Sequence, residues 1–361
     1  MKINQFLDLC LTYPSGDNCQ PFKFKIVSEN SFEVYHDAQV AKHRLNCNHI
    51  ASILSLGTLL ELISIVAKGK GLKPEAKVHE ENFEVEKLCL WAEVSLDEVK
   101  EQFDQDDQIL INEVSKRCVD RRLYENKPLL ANHIQWIQNE ASKNKLVNFS
   151  FHSNLNPRLL KLIVKLEEKI WMDERVSTDI LRWIRFDQNE IIKLRDGLSW
   201  DSLCLAFYQK PILKLFCNSI KFYSFMTKLG GTKVNSHLLH QQLKKSGGIG
   251  VFAVHSKSNL DLVNMARTYF RIWLYLNSRG YAFQPLTNST LPLYMMQTQK
   301  LPADWPQANL NIYKDLMIEF RIQCGFGENE VPVWGFRSGS TTKPLPAKAR
   351  SLRKNLDELL L

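Results

Sequence analysis

Apolar residues recur at helical spacing near the start of the chain, at Ile3, Phe6, Leu7 and Leu11, and the polar run from Thr12 to Asn18 then stops the helix and turns the chain. The next apolar stretches, FKFKIV and SFEVYH within 22–36, predict two strands joined by a Ser-Glu-Asn turn. From about 48 to 68 the apolar residues cover more than one face, which predicts a long helix buried at the centre of the fold. Two further strands are expected within 75–93, and a helix from EVSLDEVKEQF to about Cys118. After RCVDRRLYENKPL the pattern gives a helix at 130–142, a strand at 146–152 and a long amphipathic helix near 157–185. Residues 188–246 carry aromatic and apolar side chains without a clean period, and a long interposed region of this kind reads as a lid. Regular patterning then resumes with a strand at GIGVFAVHS, a helix at 259–279, a strand at YAFQPL, a helix over 307–324 and a last strand at VPVWGFRSG. Strands and helices mix without strict alternation, which predicts an α+β fold rather than a doubly wound parallel sheet.

With 361 residues, 44% hydrophobic and 24% charged, the chain can bury a sizeable core. No run approaches the length of a membrane span, and the early FLDLCL is short and interrupted by Asp8, so a soluble, cytoplasmic protein with no membrane partner is expected. The eight cysteines are scattered, with no C-x-x-C pair and no Cys/His cluster at metal spacing, so reduced thiols and no metal site are expected. Charge is uneven: residues 1–150 sum to −4 and 151–361 to +12. Its densest patch runs from Arg337 to Lys354 without an acid, and suits either a phosphate group or plain solvation. No nucleic-acid-binding module accompanies it, and no G-x-G-x-x-G or P-loop is present.

Candidate chemistry sits in four segments. At a helix-to-strand junction, Pro14-Ser15-Gly16-Asp17-Asn18-Cys19-Gln20-Pro21-Phe22-Lys23-Phe24 is a rigid turn offering a hydroxyl, amides and backbone N–H groups, the partners that the alternating carbonyl and N–H edge of a flavin requires. A turn that merely closes a helix, with Gln20 capping backbone, is the plain alternative. The segment from Arg117 to Tyr124 presents guanidinium groups suited to a phosphate, with Arg117 and Arg121 as candidates. Leu286, Thr287 and Asn288 follow the YAFQPL strand, and Lys348 and Arg350 lie in the basic tail.

These segments resemble the P-S-x-x-N-x-Q-P-W-x-F loop, the arginine phosphate motif and the carboxy-terminal clamp of the nitroreductase-like FMN proteins, although Cys118 and Val119 depart from the arginine motif. The resemblance implies that Ser15, Gly16 and Asn18 face the flavin ring, with Pro14 and Gln20 shaping the turn. It also implies that Arg117, Arg121, Lys348 and Arg350 hold the phosphate, and that a backbone N–H of Leu286, Thr287 or Asn288 points to flavin N5. One loop and one arginine motif are present and neither has a second copy, since ASKNKLVNFSFHS lacks the Pro-Ser and Gln-Pro elements. The layout is similar to the Acg-type branch, in which one chain imitates a nitroreductase dimer. It implies two degenerate halves, 1–115 and 116–361, the second carrying a lid at 188–246, in a monomeric pseudo-dimer.

Two functions are then expected. One is an NAD(P)H-dependent oxidoreductase in which bound FMN takes hydride and passes electrons to a small-molecule acceptor. The other is flavin storage, with Trp200, Phe207, Tyr208, Leu213 and Phe216 sealing the ring. No catalytic acid or base is assigned, since His36, His43, His49, His237, His240 and His255 are not spaced as a triad or metal site.

Overall fold

The computed structural model describes residues 1–99, 105–255, 258–305 and 307–361. Helix α1 (Ile3–Cys10) buries Phe6, Leu7 and Cys10 and delivers the chain into a short turn at Gly16–Asn18. Strands β1 (Phe22–Ile26) and β2 (Ser31–His36) follow as an antiparallel pair. Helix α2 (Ile50–Lys68) is buried along nearly its whole length. It is long and apolar enough to cross a membrane, which amends the expectation that no run approaches a span, but 89% of its apolar window is buried inside the protein.

Strands β3 (Leu72–Val78) and β4 (Cys89–Glu98) complete a four-stranded antiparallel sheet in the order β1-β2-β4-β3. Residues 93–98, expected to open a helix, belong to β4: Ala92, Val94 and Leu96 point inward and alternate with polar residues, a period of two that places them in the sheet. The helix expected beyond them is α3 (Gln105–Glu113); 100–104 lie outside the described residues, and 114–118, expected to continue the helix, form a turn and an extended segment instead.

The second sheet is built from β5 (Val147–His152), β8 (Gly248–Val254), β9 (Tyr281–Pro285) and β10 (Val331–Ser340), antiparallel throughout in the order β5-β8-β10-β9. Helix α4 (Ala131–Ser142) precedes it. The helix expected over 157–185 divides into α5 (Pro157–Met172) and α6 (Glu174–Leu181), because the Asp173 carboxylate accepts from the N–H groups of Arg175 and Val176 and starts a new helix. Short parallel strands β6 (Ile184–Arg185) and β7 (Leu198–Ser199) flank α7 (Gln188–Leu194). The insertion continues through α8 (Trp200–Leu203), α9 (Gln209–Asn218), α10 (Ile220–Lys228) and α11 (Thr232–Lys244). Helices α12 (Asn259–Ser278) and α13 (Thr287–Gln297) lie against the second sheet, and α14 (Gln307–Cys324) packs on α5 and α13.

Helix α12 packs along α2, and the two lie very close: a methyl group at Gly57 would come within 2.3 Å of the Val263 carbonyl oxygen and 2.7 Å of Ala266. Glu61 of α2 clasps Arg267 at 2.9 Å and Arg271 at 3.1 Å, both on α12. The chain's last described residues return to the first sheet, where the Phe24 N–H donates to the Leu359 carbonyl at 2.8 Å and the Leu361 N–H to the Phe24 carbonyl at 2.9 Å.

Candidate functional site

The Pro14–Gln20 turn is wound tightly. Asp17, Asn18 and Gln20 adopt left-handed backbone angles with φ of 47°, 58° and 53°, a conformation that Asn and Asp tolerate better than most residues. The Ser15 hydroxyl closes the turn by accepting the Gln20 N–H at 3.0 Å. A methyl group at Gly16 would meet only Ala51, at 3.9 Å, so that side of the turn is open.

Around the turn the structure gathers two distant segments. The Asn18 side-chain amide donates to the Gly197 carbonyl at 3.1 Å and the Leu352 carbonyl at 2.9 Å, and its oxygen accepts from Arg353. Gln20 donates to the Arg195 carbonyl at 2.8 Å, and its oxygen accepts the Lys354 N–H at 2.9 Å. Arg195 in turn donates to the Arg353 carbonyl. Asn18, expected to face a ring, is therefore a structural tie: its amide hydrogens and its oxygen are taken by protein groups, as its burial demands. Gln20 caps backbone, as the plain reading of the turn had it. The ring-facing options left in this loop are the Ser15 hydroxyl hydrogen and the backbone at Gly16.

Arg117, Arg121 and Arg353 lie around this turn, with Arg337 near Arg121. Arg117 is buried, donates to the Thr12 carbonyl at 2.7 Å and stacks over Trp273 at 4.5 Å, while its Nε has no partner. Burial, and then the neighbouring charge of Arg353, pull its pKa down to about 9. Burial also pulls Arg353 down, to about 10. Arg121 donates to the Ser202 carbonyl at 3.0 Å, and burial lowers its pKa although Asp17 lies near enough to oppose the shift. Arg337, fully buried on β10, donates to Gln284 at 2.7 Å and to the Arg122 carbonyl at 2.8 Å, and sits over Tyr124 at 4.0 Å. None of these four forms an ion pair among the described residues.

The contrast with Arg271 decides what this means. Arg271 faces Glu61, Glu140 and Asp107, and although burial alone would lower its pKa, the carboxylates raise it well above the ordinary value. Arginines that pack beside carboxylates are compensated by the protein; buried Arg117 and half-buried Arg353 beside it are not, and an uncompensated cation withdrawn from water calls for an anionic ligand.

The remaining expected residues fall around this centre unequally. Arg350 is exposed, reaches the Ser115 carbonyl at 3.5 Å and lies near enough to Arg117 to lower its pKa further. Lys348 is largely exposed and pairs with Asp201 at 3.0 Å, which ties the tail to α8 but leaves its charge already matched. The Leu286 N–H is committed to the Gly335 carbonyl at 2.8 Å and cannot be the donor expected at this position. Thr287 and Asn288 open α13, where the first N–H groups have no partner within the helix, and they keep that capacity. The Asn288 side chain donates to Glu167 at 3.0 Å, and burial holds the Glu167 carboxyl above its usual range.

Arg337 and Arg353 belong to the basic tail expected to suit a phosphate, but Lys348 and Arg350 were the residues singled out from it, and Arg195 was not among the candidates. The aromatic seal is also corrected: Phe207 and Tyr208 are 85% and 65% exposed, and Phe216 packs on Phe222 and Tyr223 inside the insertion. Phe216 belongs to the insertion's own packing, while Phe207 and Tyr208 face solvent.

No family model matches the chain, and no curated protein matches it. Among solved structures it is similar to the FMN-dependent nitroreductase NfnB of Mycobacterium smegmatis in complex with NADPH, at 14% identity over 70% of this chain and 96% of that one, with a TM-score of 0.39. It is also similar to a nitroreductase with bound FMN from Desulfitobacterium hafniense, at 12% identity, 68% and 96% coverage and a TM-score of 0.34. A chain from Anabaena variabilis, described as a candidate nitroreductase, matches 86% of this chain and 69% of its own at 9% identity, with a TM-score of 0.41.

Proposed function

We propose that this chain is an FMN-binding oxidoreductase of the nitroreductase-like type, a single-chain pseudo-dimer of halves 1–115 and 116–361 that draws electrons from NADH or NADPH. The observation that carries the reading is the pair formed by buried Arg117 and half-buried Arg353, which border the Pro14–Gln20 turn without carboxylate partners. That turn has the residue pattern of a flavin loop, and the arginines fit a flavin's phosphate in charge and in donor number.

When bound, FMN would supply two-electron chemistry at N5. The residues of the chain do the rest. Arg117 and Arg353 neutralise the phosphate, and Arg121 and Arg350 reinforce them. Ser15 and the backbone at Gly16 present polar groups to the ring's pyrimidine edge. The N–H groups of Thr287 and Asn288 supply a fixed dipole near N5, held by the Asn288 contact with Glu167. Asn18 and Gln20 keep this frame rigid by joining three segments.

Storage of flavin under a closed cover gains no support from Phe207 and Tyr208, which turn outward. The deciding experiment is the visible spectrum of the purified protein under anaerobic conditions before and after NADH or NADPH. Bleaching of a bound flavin by either nucleotide supports the oxidoreductase. Bleaching by dithionite alone would return the reading to storage, and a colourless protein that takes up no added FMN would end both.

A further inference from the structure

Between Asp201 and Asp261 the sequence contains no aspartate and no glutamate, while Lys210, Lys214, Lys221, Lys228 and Lys233 fall within it. The same stretch contains the two most exposed large apolar side chains among the described residues, Phe207 at 85% and Leu229 at 67%. Tyr208, which caps α9, and Ile212 and Leu215 on it stand at i, i+4 and i+7, exposed by 65%, 52% and 45%. On the outer face of α10, Lys221, Phe225, Lys228 and Leu229 at i, i+4, i+7 and i+8 are all exposed.

These helices are not exposed for want of packing. Phe216 on α9 packs its ring against Phe222 and Tyr223 on α10, and the Tyr223 hydroxyl meets Ser177 of α6 at 2.9 Å. The inner faces are anchored, and the outer faces carry apolar stripes flanked by lysines.

We propose that the outer face of α9 and α10 docks onto an anionic lipid membrane. Exposed aromatic and aliphatic side chains on anchored helices are an energetic burden in water and are favourable at the headgroup boundary, where Phe and Tyr insert shallowly. Lysines beside them reach lipid phosphates, and the stretch itself has no carboxylate to repel an anionic surface; Glu174 of α6, which accepts from the Ser224 hydroxyl, borders α10 and is outnumbered by these lysines. An acidic protein partner would satisfy the lysines, but it needs a shaped groove for the apolar stripes, whereas these present convex helix faces that a fluid interface accommodates. The expectation of no membrane partner rested on the want of a spanning segment, and peripheral docking needs none.

The test is co-sedimentation of the whole protein with vesicles of phosphatidylcholine alone and of equal parts phosphatidylcholine and phosphatidylglycerol. Binding is expected only to the second, and should fall steeply as salt is raised. Replacing Lys214, Lys221 and Lys228 with Glu should weaken it by about 100-fold or more, since each lysine near an anionic surface contributes about fivefold. Phe207→Ser with Tyr208→Ser should weaken binding to the same vesicles while leaving the salt dependence in place. All these positions are solvent-facing, and equal melting temperatures of variants and parent establish that they fold. The salt titration of the parent protein reads the same proposal without any substitution. Equal binding to neutral vesicles, no binding to either, or a concentration-dependent dimer abolished by Phe207→Ser would overturn it.

Discussion

Arg117 and Arg271 are both arginines facing a helix of the core, yet their surroundings give them opposite roles, one left without a carboxylate and the other surrounded by three. Replacing Arg117 with Met should therefore weaken FMN binding by about 1.5 to 3 kcal/mol, the range for hydrogen bonds to charged groups, as read by flavin fluorescence titration. The flavin-free protein should melt no lower than the parent by more than a few degrees, because an uncompensated buried charge is removed with the contact it made. A structural arginine would show the reverse pattern. Buried neutral histidines give a second expectation at this scale. His36 lies fully buried against Trp91 and 4.9 Å from His49, and burial, with His49 adding to it, pulls its pKa from 6.5 down to about 2. The unfolded chain takes up a proton there below pH 6.5 and the folded chain does not, so stability is complete above that pH and falls as the pH drops toward 2. The loss is about 1.4 kcal/mol per pH unit for one such group. His36→Phe, which can still stack on Trp91, should flatten the urea midpoint between pH 7 and pH 5 by roughly that slope. At the level of residues, Ser15, Arg117 and Arg121 were legible because a turn motif and an arginine run are local patterns. Arg353 was not, because its partner Asn18 is a product of the tertiary path.

Element positions were legible wherever a period held, and the misreadings have local causes. EVSLDE supports both periods by composition, and the β3 ladder decides for the strand; Asp173 offers a cap that no hydrophobic count registers. The pairing of α2 with α12 was invisible in the sequence except for Gly57, which stands in an otherwise apolar helix. Helix propensity favours alanine over glycine there by about 1 kcal/mol. The close approach of the Val263 carbonyl argues for the opposite sign, since an added methyl must push two main helices apart. Gly57→Ala should thus destabilise the protein by about 1 to 3 kcal/mol in urea unfolding. A gain in stability would mean that the helices are not packed as described.

The described residues form two four-stranded sheets, a small two-stranded one, two central helices and one convergence of turn, arginines and tail. A single convergence predicts a single cofactor: heat-released FMN should approach one per chain when the protein is saturated, and a ratio near two would contradict the reading that the second loop has been lost. The α+β class was legible from the mixing of periods. The return of the tail to Phe24 was not, because a few residues ending in Leu-Leu-Leu bear no mark of what they will pair with.

That returning tail sets an order of events during synthesis. Asn18 and its partner Arg353 are separated by 335 positions, so at about 5 to 20 residues per second the loop waits on the order of tens of seconds for its counterpart to leave the ribosome. Throughout that interval the backbone of Phe24 at the edge of β1 lacks the Leu359 and Leu361 groups that later occupy it. Nascent chains would offer chaperones an unfinished sheet edge, and a chain ending before residue 350 would keep that edge open and leave Asn18 without Leu352 and Arg353.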